Sequence, residues 1–437
     1  MFRSLSSLNY RIWFAGALVS NVGTWMQRTA QDWIVLTQLT KGDALAVGIV
    51  MALQFGPQLV LLPVTGWAAD RFDRRKLLMA TQGAMGLLGL GLGILTITGA
   101  VQLWHVYLFA LLLGIVAAFD SPARQTFVGD LVGTSLLGNA VALNSASFNA
   151  ARLLGPAVAG LLTAAVGAGW VFLINAVSFI AVLASLTLMR RDQLNHTKRA
   201  SRSRGGMIGG FRYVKGRPDL ISIFIMVFVV GTFGLNFPIF VASMASTVFH
   251  KGAGEYGLLS SVMAVGSVLG ALLAARRERP RAQLLAVAAT IFGIGSLGAA
   301  LAPDYWLFGA ALAVVGVASQ TFNTTANGVV QLSTDPAVRG RVMAIYMAIF
   351  MGGTPIGAPI VGWVADAYGP RWALVVGAAS GFVAAAVGVF YMVRYRGMRL
   401  AFTERRLRFT FATPTRPIAI AEMQADEAVA NKASASA

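Results

Sequence analysis

The 437-residue chain reads as an all-α polytopic membrane protein, with twelve transmembrane spans in two pseudo-symmetric six-helix halves. Three observations predict this. Charged residues are only 12% of the chain and hydrophobic residues 57%, whereas soluble domains carry roughly 25% charge, so a soluble globular protein is excluded. The apolar residues fall in long unbroken runs of the size a spanning helix requires, about 20 residues. They do not alternate with the period of two that marks an outer-membrane barrel. Finally, the chain matches itself at an offset near 200 residues.

Runs bounded by Gly, Pro or charge place the spans at 12–36, 46–68, 77–98, 104–125, 139–165 and 170–189 in the first half. Those of the second half are 219–246, 256–275, 283–301, 305–327, 342–366 and 371–394. Of the 35 Lys and Arg residues, 30 fall in one set of alternate loops and the two tails, three (Lys41, Lys251, Arg371) in the opposite loops, and two (Arg28, Arg152) within spans. This asymmetry predicts a multi-pass protein of the plasma (inner) membrane with both termini cytoplasmic. It also accounts for the net charge of +18, because basic loops face anionic lipid at the cytoplasmic surface. No basic module interleaved with aromatics is present, so the charge does not point to nucleic acid. The domain plan is a first half at 1–189, a basic cytoplasmic linker at 190–217, a second half at 218–396 and a cytoplasmic tail at 397–437.

The chain has no Cys, and its three His are far apart. Neither thiolate chemistry nor a metal site is expected, and no cofactor. There is no GxxxxGK[ST] loop for ATP, no HExxH and no GxSxG, so the chain is not read as an enzyme.

The duplication is clearest between spans five and eleven. At an offset of 202, Gly155, Gly160, Gly167 and Trp170 fall on Gly357, Gly362, Gly369 and Trp372. Spans two and eight match at 209, Gly48 on Gly257, and spans four and ten at 199, Leu108-Phe109 on Leu307-Phe308. Parallel six-helix repeats are a transporter plan with substrate held between the halves. A pseudo-dimeric chain of this kind is expected to work as a monomer.

Between spans two and three stands Gly66-Trp-Ala-Ala-Asp70-Arg71-Phe-Asp73-Arg74-Arg75-Lys76. Gly66 permits close packing at a helix end, and Asp70 can accept from a neighbouring helix N-terminus or pair with Arg74. This run resembles the cytoplasmic loop motif of the major facilitator superfamily, with Asp73 where that motif has a glycine. The resemblance implies a latch closing the cytoplasmic side in one state, formed by Gly66, Asp70, Arg71, Arg74 and Arg75. Gly362-Trp-Val-Ala-Asp366 repeats the pattern, but by span parity it lies on the opposite face and aligns with 160–164, so no latching role is expected of it. On span five, Gly155-Pro156 with Gly160 resembles the superfamily's antiporter motif. Phe119-Asp120-Ser121-Pro122-Ala123-Arg124, Asn144, Asn149 and Arg339-Gly-Arg341 resemble its branch of enterobactin and drug exporters.

Ionisable groups inside spans are costly and usually functional. Asn21, Trp25, Arg28 and Asp32 share one face of span one. If that span centres near residue 24, Arg28 lies ~6 Å and Asp32 ~12 Å from the midplane. Either Asp32 is a protonation switch coupled to Arg28, or the two form a fixed pair, or they contact substrate directly. Arg152 binds an anionic group or ties helices together through Asp120 or Asp32. Asn144 and Asn149 on span five, Asn236 and Phe237 at a break in span seven, and Gln320, Asn323 and Asn327 on span ten complete the candidate substrate-facing set. The rival for these polar stripes is helix–helix hydrogen bonding. The predicted function is secondary active export of an amphipathic organic molecule (a drug, siderophore or similar metabolite) in exchange for protons. A uniporter or importer of the same fold, or a non-transporting sensor, are the alternatives.

Overall fold

A computed structural model describes residues 3–194, 207–275, 282–336, 338–396, 398–403 and 406–411. Much of the basic linker, the 276–281 loop and the end of the tail lie outside the described residues.

Helices begin where the sequence supplies a short polar cap. Ser7, Asp43, Asp73 and Asp304 each accept from a backbone amide of the first turn that follows, satisfying donors that the helix itself cannot. In the first half these helices are α1 (Leu8–Ile34), α2 (Ala44–Val60, continued by Leu62–Arg71), α3 (Arg74–Ile97), α4 (Leu103–Leu131), α5 (Thr134–Val166) and α6 (Ala168–Leu188). A short helix, Met207–Lys215, precedes the second half. There follow α7 (Pro218–Val248, with breaks), α8 (Ala253–Ala275), α9 (Ala282–Leu301), α10 (Tyr305–Ser333), α11 (Arg339–Tyr368) and α12 (Pro370–Arg396). After α12, the antiparallel hairpin β1 (Met398–Thr403) and β2 (Arg406–Phe411) forms in the described part of the tail.

Among the described residues ten helices are long and apolar enough to cross a membrane. The other two expected spans depart from that standard for local reasons. α1 is 27 residues long, but Asn21, Gln27, Arg28, Gln31 and Asp32 lower its apolar content. α2 breaks at Leu61, between Pro57 and a proline opening its second piece, because proline removes a ladder donor and clashes with the preceding turn. The all-α, twelve-span, two-half plan read from the sequence is the architecture found.

The repeat is visible in detail. α1 ends in a wide π-turn at Val35–Leu39 followed by Lys41 at φ 52, and α7 ends in a π-turn at Met244–Val248 followed by His250 at φ 51. Gly167 and Gly369 both turn the chain with positive φ, 88 and 98. The offset of 199 for spans four and ten is corrected to 202. α4 and α10 are each 29 residues long and start at Leu103 and Tyr305, so exposed Trp104 matches exposed Trp306, and buried Val106 matches buried Phe308. A Leu-Phe pair is too common in apolar runs to fix a register.

Within the first half α1 packs on α5 and α6, α2 on α4, and α3 on α4 and α6. The second half repeats this with α7 on α11 and α12, α8 on α10, and α9 on α10 and α12. One buried cluster belongs to each half, the first around Trp13, Leu78, Phe127 and Phe179, the second around Leu220, Phe224, Phe292 and Phe322. A third crosses between them and joins Ile34, Leu36, Val47 and Met51 to Tyr256, Leu259, Ala358 and Val361.

Candidate substrate site and the seams between the halves

The halves meet along two seams, α2 on α11 and α5 on α8. Small residues let the backbones touch. A side chain at Gly48 would collide with Ala358 and Pro359, and one at Gly257 with Pro156 and Gly160. Likewise Gly160 abuts Ala253 and Gly257, and Gly362 abuts Ala44 and Leu45. Gly155 lies against Trp25 of α1, and its counterpart Gly357 against Thr232 of α7. The motif of Gly155, Pro156 and Gly160 is therefore packed into contacts with α1 and α8. These are the close approaches that small residues allow in a membrane.

At the end of the bundle bearing the 40–43 loop, Asp366 of α11 accepts hydrogen bonds from the amides of Ala44 (2.7 Å) and Leu45 (2.8 Å), the first two residues of α2. Asp43 accepts from the third, Ala46 (2.9 Å). Three otherwise orphaned donors are satisfied by two carboxylates, one of them from the other half. Asp366, of which no latching role is expected, thus ties the two halves at the end away from the Gly66–Lys76 run. Its parity was read correctly, but the helix N-terminus facing it was not foreseen.

At the other end, α2 runs out through Leu62–Arg71. Gly66 and Asp70 lie in that helix, and their side chains are outside the described residues. Arg71 is exposed. Arg74 holds Asp130 of α4 through both carboxylate oxygens (2.8 and 2.9 Å), and buried Arg75 donates to the Leu186 carbonyl (2.6 Å). Asp73 is the N-cap of α3 with φ −62. A side chain is therefore accommodated where the superfamily motif has glycine, and it performs a capping task glycine cannot.

Between the halves, the face of α1 presents Trp25, Arg28 and Asp32. The Arg28 guanidinium is bracketed by the rings of Trp25 (5.3 Å) and Phe55 of α2 (5.0 Å), and its Nε is buried without a hydrogen-bond partner. Trp25 meets Phe148 of α5 edge-on at 5.8 Å. Asp32 is 5% exposed, and the next residue, Trp33, stacks on Tyr256 of α8 at 5.3 Å. Arg152 is half-buried and reaches across to α10, where it donates to Gln320 Oε1 (3.3 Å). Neither Arg28 nor Arg152 forms an ion pair with a carboxylate among the described residues.

Asp120, offered above as a partner for Arg152, is instead fully engaged. It accepts from Thr81 (2.8 Å), Gln82 (2.6 Å) and Arg124 (3.0 Å). Arg124 also donates to Asn21 (3.0 Å), so Asn21 belongs to this interhelix network inside the first half. Asn236 is 0% exposed and donates to the Thr232 carbonyl (2.7 Å), closing the break in α7 over which Phe237 packs on Phe240 and Phe292. Both residues are thus held in bundle packing. Asn144 is half-buried, while Asn149 is exposed and donates to Ser145 O (2.8 Å). Gln320, Asn323 and Asn327 are half-buried along α10; Gln320 donates to Thr324 (3.2 Å) and Asn327 accepts from Gln331 (2.7 Å). The sequence reading missed Phe55, Phe148 and Tyr256, which in an apolar run resemble any lipid-facing or core aromatic.

The whole arrangement has known relatives. A family model described as transmembrane secretion effector matches residues 2–421. The staphyloferrin A transporter of Staphylococcus aureus is 26% identical over 82% of this chain and 90% of its own length. The multidrug efflux pump Tap of Mycolicibacterium fortuitum is 27% identical over 81% and 88%, and the enterobactin exporter EntS of Shigella flexneri 25% over 82% and 85%. Among solved structures, the nucleoside transporter NupG superposes with a TM-score of 0.70 at 15% identity, covering 89% of this chain and 100% of that one. A bacterial homologue of the lysosomal transporter Spinster, in an inward-facing and occupied conformation, gives 0.69 at 17%, with coverages of 89% and 96%; these two likenesses concern the fold. The chain therefore belongs to the transmembrane secretion effector family of the major facilitator superfamily, and it is a multi-pass membrane transporter rather than an enzyme.

Proposed function

We propose that this transporter exports an amphipathic organic molecule in exchange for protons, by rocking its two halves about a substrate held between them. The observation that supports this most is the distribution of contacts. The buried cluster crossing between the halves, together with the Asp366 tie, gathers at the end bearing the 40–43 and 249–252 loops. With the basic loops and both termini on the cytoplasmic side, that end faces outward and the chain is closed to the outside. The opposite state would separate these contacts and engage the Gly66–Arg75 latch on the cytoplasmic side. Asp32, buried at the seam within the field of Arg28 and near Tyr256, is the proton-coupling group in this reading. Export and an organic substrate agree with what the drug and enterobactin relatives are named for.

The test is uptake of fluorescent organic dyes of both charge signs into inside-out vesicles with an acidic lumen. Accumulation should collapse on adding a protonophore and in Asp32→Asn. Accumulation that survives the substitution would move the proton site elsewhere, and movement indifferent to the gradient would replace the exchanger with a uniporter.

A further inference from the structure

We infer that the site between the halves is selective for an aromatic organic anion, with Arg152 and Arg28 as the charge-selecting residues. This deepens the transport reading above and rests on it. Among the described residues, two guanidinium groups stand on the inter-half faces of α1 and α5, and one carboxylate, Asp32, accompanies them. Buried cations are expected to be paired and hydrogen-bonded. Yet Arg152 has a neutral amide oxygen at 3.3 Å as its partner, and Arg28 has two aromatic faces and an unpartnered Nε. Contrast Arg124, a third arginine within the bundle, whose charge is met by Asp120 at 3.0 Å. The protein can pair a half-buried arginine within a half, and at these two half-buried positions it does not.

The two guanidinium groups are also suitably spaced. α1 and α5 touch where Gly155 meets Trp25; Arg152 lies one turn to one side of that crossing and Arg28 one turn to the other, an axial separation of about 9 Å. An occupant would lie along the Trp25–Phe148 pair, and Phe148 is 47% exposed. A flat aromatic body fits such a wall. A carboxylate, sulfonate or phenolate would receive the planar donors of Arg152 bidentately, displacing Gln320. A cationic amphipath would find two like charges and one carboxylate. The same charge assigns a driving force, since an interior-negative potential draws an anion outward.

The test is equilibrium binding of two related xanthene dyes, anionic fluorescein and cationic rhodamine 123, to the purified full chain by fluorescence polarisation. Fluorescein should bind at least about tenfold more tightly than rhodamine 123. Arg152→Gln should abolish most of that preference, Arg28→Gln part of it, and Arg152→Lys should keep the larger share. Asp32→Asn should tighten fluorescein binding, because it removes the one negative charge beside the site while leaving both cations. A preference for rhodamine 123, equal or absent binding of the two, or a fluorescein preference that survives both arginine substitutions in variants still monodisperse by size exclusion would overturn the assignment. The two readings fail separately. Dye transport without a charge preference would leave export standing and remove the anion site, and an arginine-dependent anion preference without flux would do the reverse.

Discussion

The two seams between the halves are built to one plan and finished differently. In both, a glycine one turn into an outer helix, Gly48 on α2 or Gly257 on α8, meets the partner backbone at equivalent positions, Ala358 and Pro156. A second glycine on the partner helix, Gly362 or Gly160, meets the start of the outer helix. One turn further on, the symmetry stops. Asp366 caps the first two amides of α2 from across the seam, whereas its counterpart Ala164 faces Gly254 of α8 with a methyl group. The start of α8 relies on its own Glu255, which accepts from Gly252 N at 3.1 Å. Close packing is thus shared and can be symmetric, since both halves must approach. The polar tie is one-sided, so at this end the α2–α11 seam carries a charged contact that the α5–α8 seam lacks.

The strongest way to break the comparison is to remove what the seams share. Gly48→Leu and Gly257→Leu should each prevent close approach and reduce transport by at least about tenfold, since overpacking a tight contact costs roughly 1–3 kcal/mol. Equal damage at the two sites is expected, because both contacts are backbone to backbone. A chain without cysteine also permits a single reporter thiol on each seam, at buried Val47 or at buried Ala253, which lies against Gly160. Alkylation of that thiol should rise in both variants, and a variant that transports normally with a protected thiol would show that this end need not close so tightly.

What differs between the seams gives the next effect in size. Asp366→Ala removes two charge-assisted bonds to a helix N-terminus, worth about 1 kcal/mol, so alkylation at Val47→Cys should increase about fivefold. Alkylation at Ala253→Cys should increase less. Ala164→Asp sharpens the same point in reverse by offering α8 the cap it lacks, and should protect Ala253→Cys by a few-fold. If both reporters respond equally to Asp366→Ala, the two seams open as one rigid unit and the one-sided tie holds both of them.

How much of this the sequence disclosed follows from what each feature depends on. Twelve spans and their ends depend on local apolar runs, and the predicted boundaries of α3, α6, α9 and α12 fall within a few residues of the helices found. α4 and α5 extend past their predicted ends, to Leu131 and from Thr134, because a helix continues beyond the apolar layer wherever its polar residues find partners such as Arg124 with Asp120. The glycines of the repeat were legible because identity at a fixed offset needs no partner to be recognised. Side-chain pairing was not. Asp120 was placed on the correct span, but Thr81 and Gln82, which engage it, sit 39 and 38 residues away on α3, and no spacing rule connects them. Asp366 was set aside for the same reason, its partner being a backbone 322 residues distant.

The smallest effect separates the two carboxylates that share the start of α2. Asp43 caps Ala46 from within its own helix and Asp366 caps Ala44 and Leu45 from outside, so their donors do not overlap and the caps alone would add. Their charges do interact, because each carboxylate lies in the field of the other. Removing either one relieves that repulsion as it orphans its own amides. Asp43→Ala should therefore cost less than the ~1 kcal/mol usual for an N-cap, and Asp366→Ala should likewise cost less than the loss of its two hydrogen bonds alone, because the repulsion with Asp43 goes with it. The double variant has no repulsion left to relieve and three orphaned donors, so its loss of stability should exceed the sum of the single losses by about 0.5 kcal/mol. Thermal unfolding of the four proteins measures this directly. A sum that matches the double variant would mean the carboxylates do not sense one another, and the tie across the seam would then be two hydrogen bonds rather than a shared charge site.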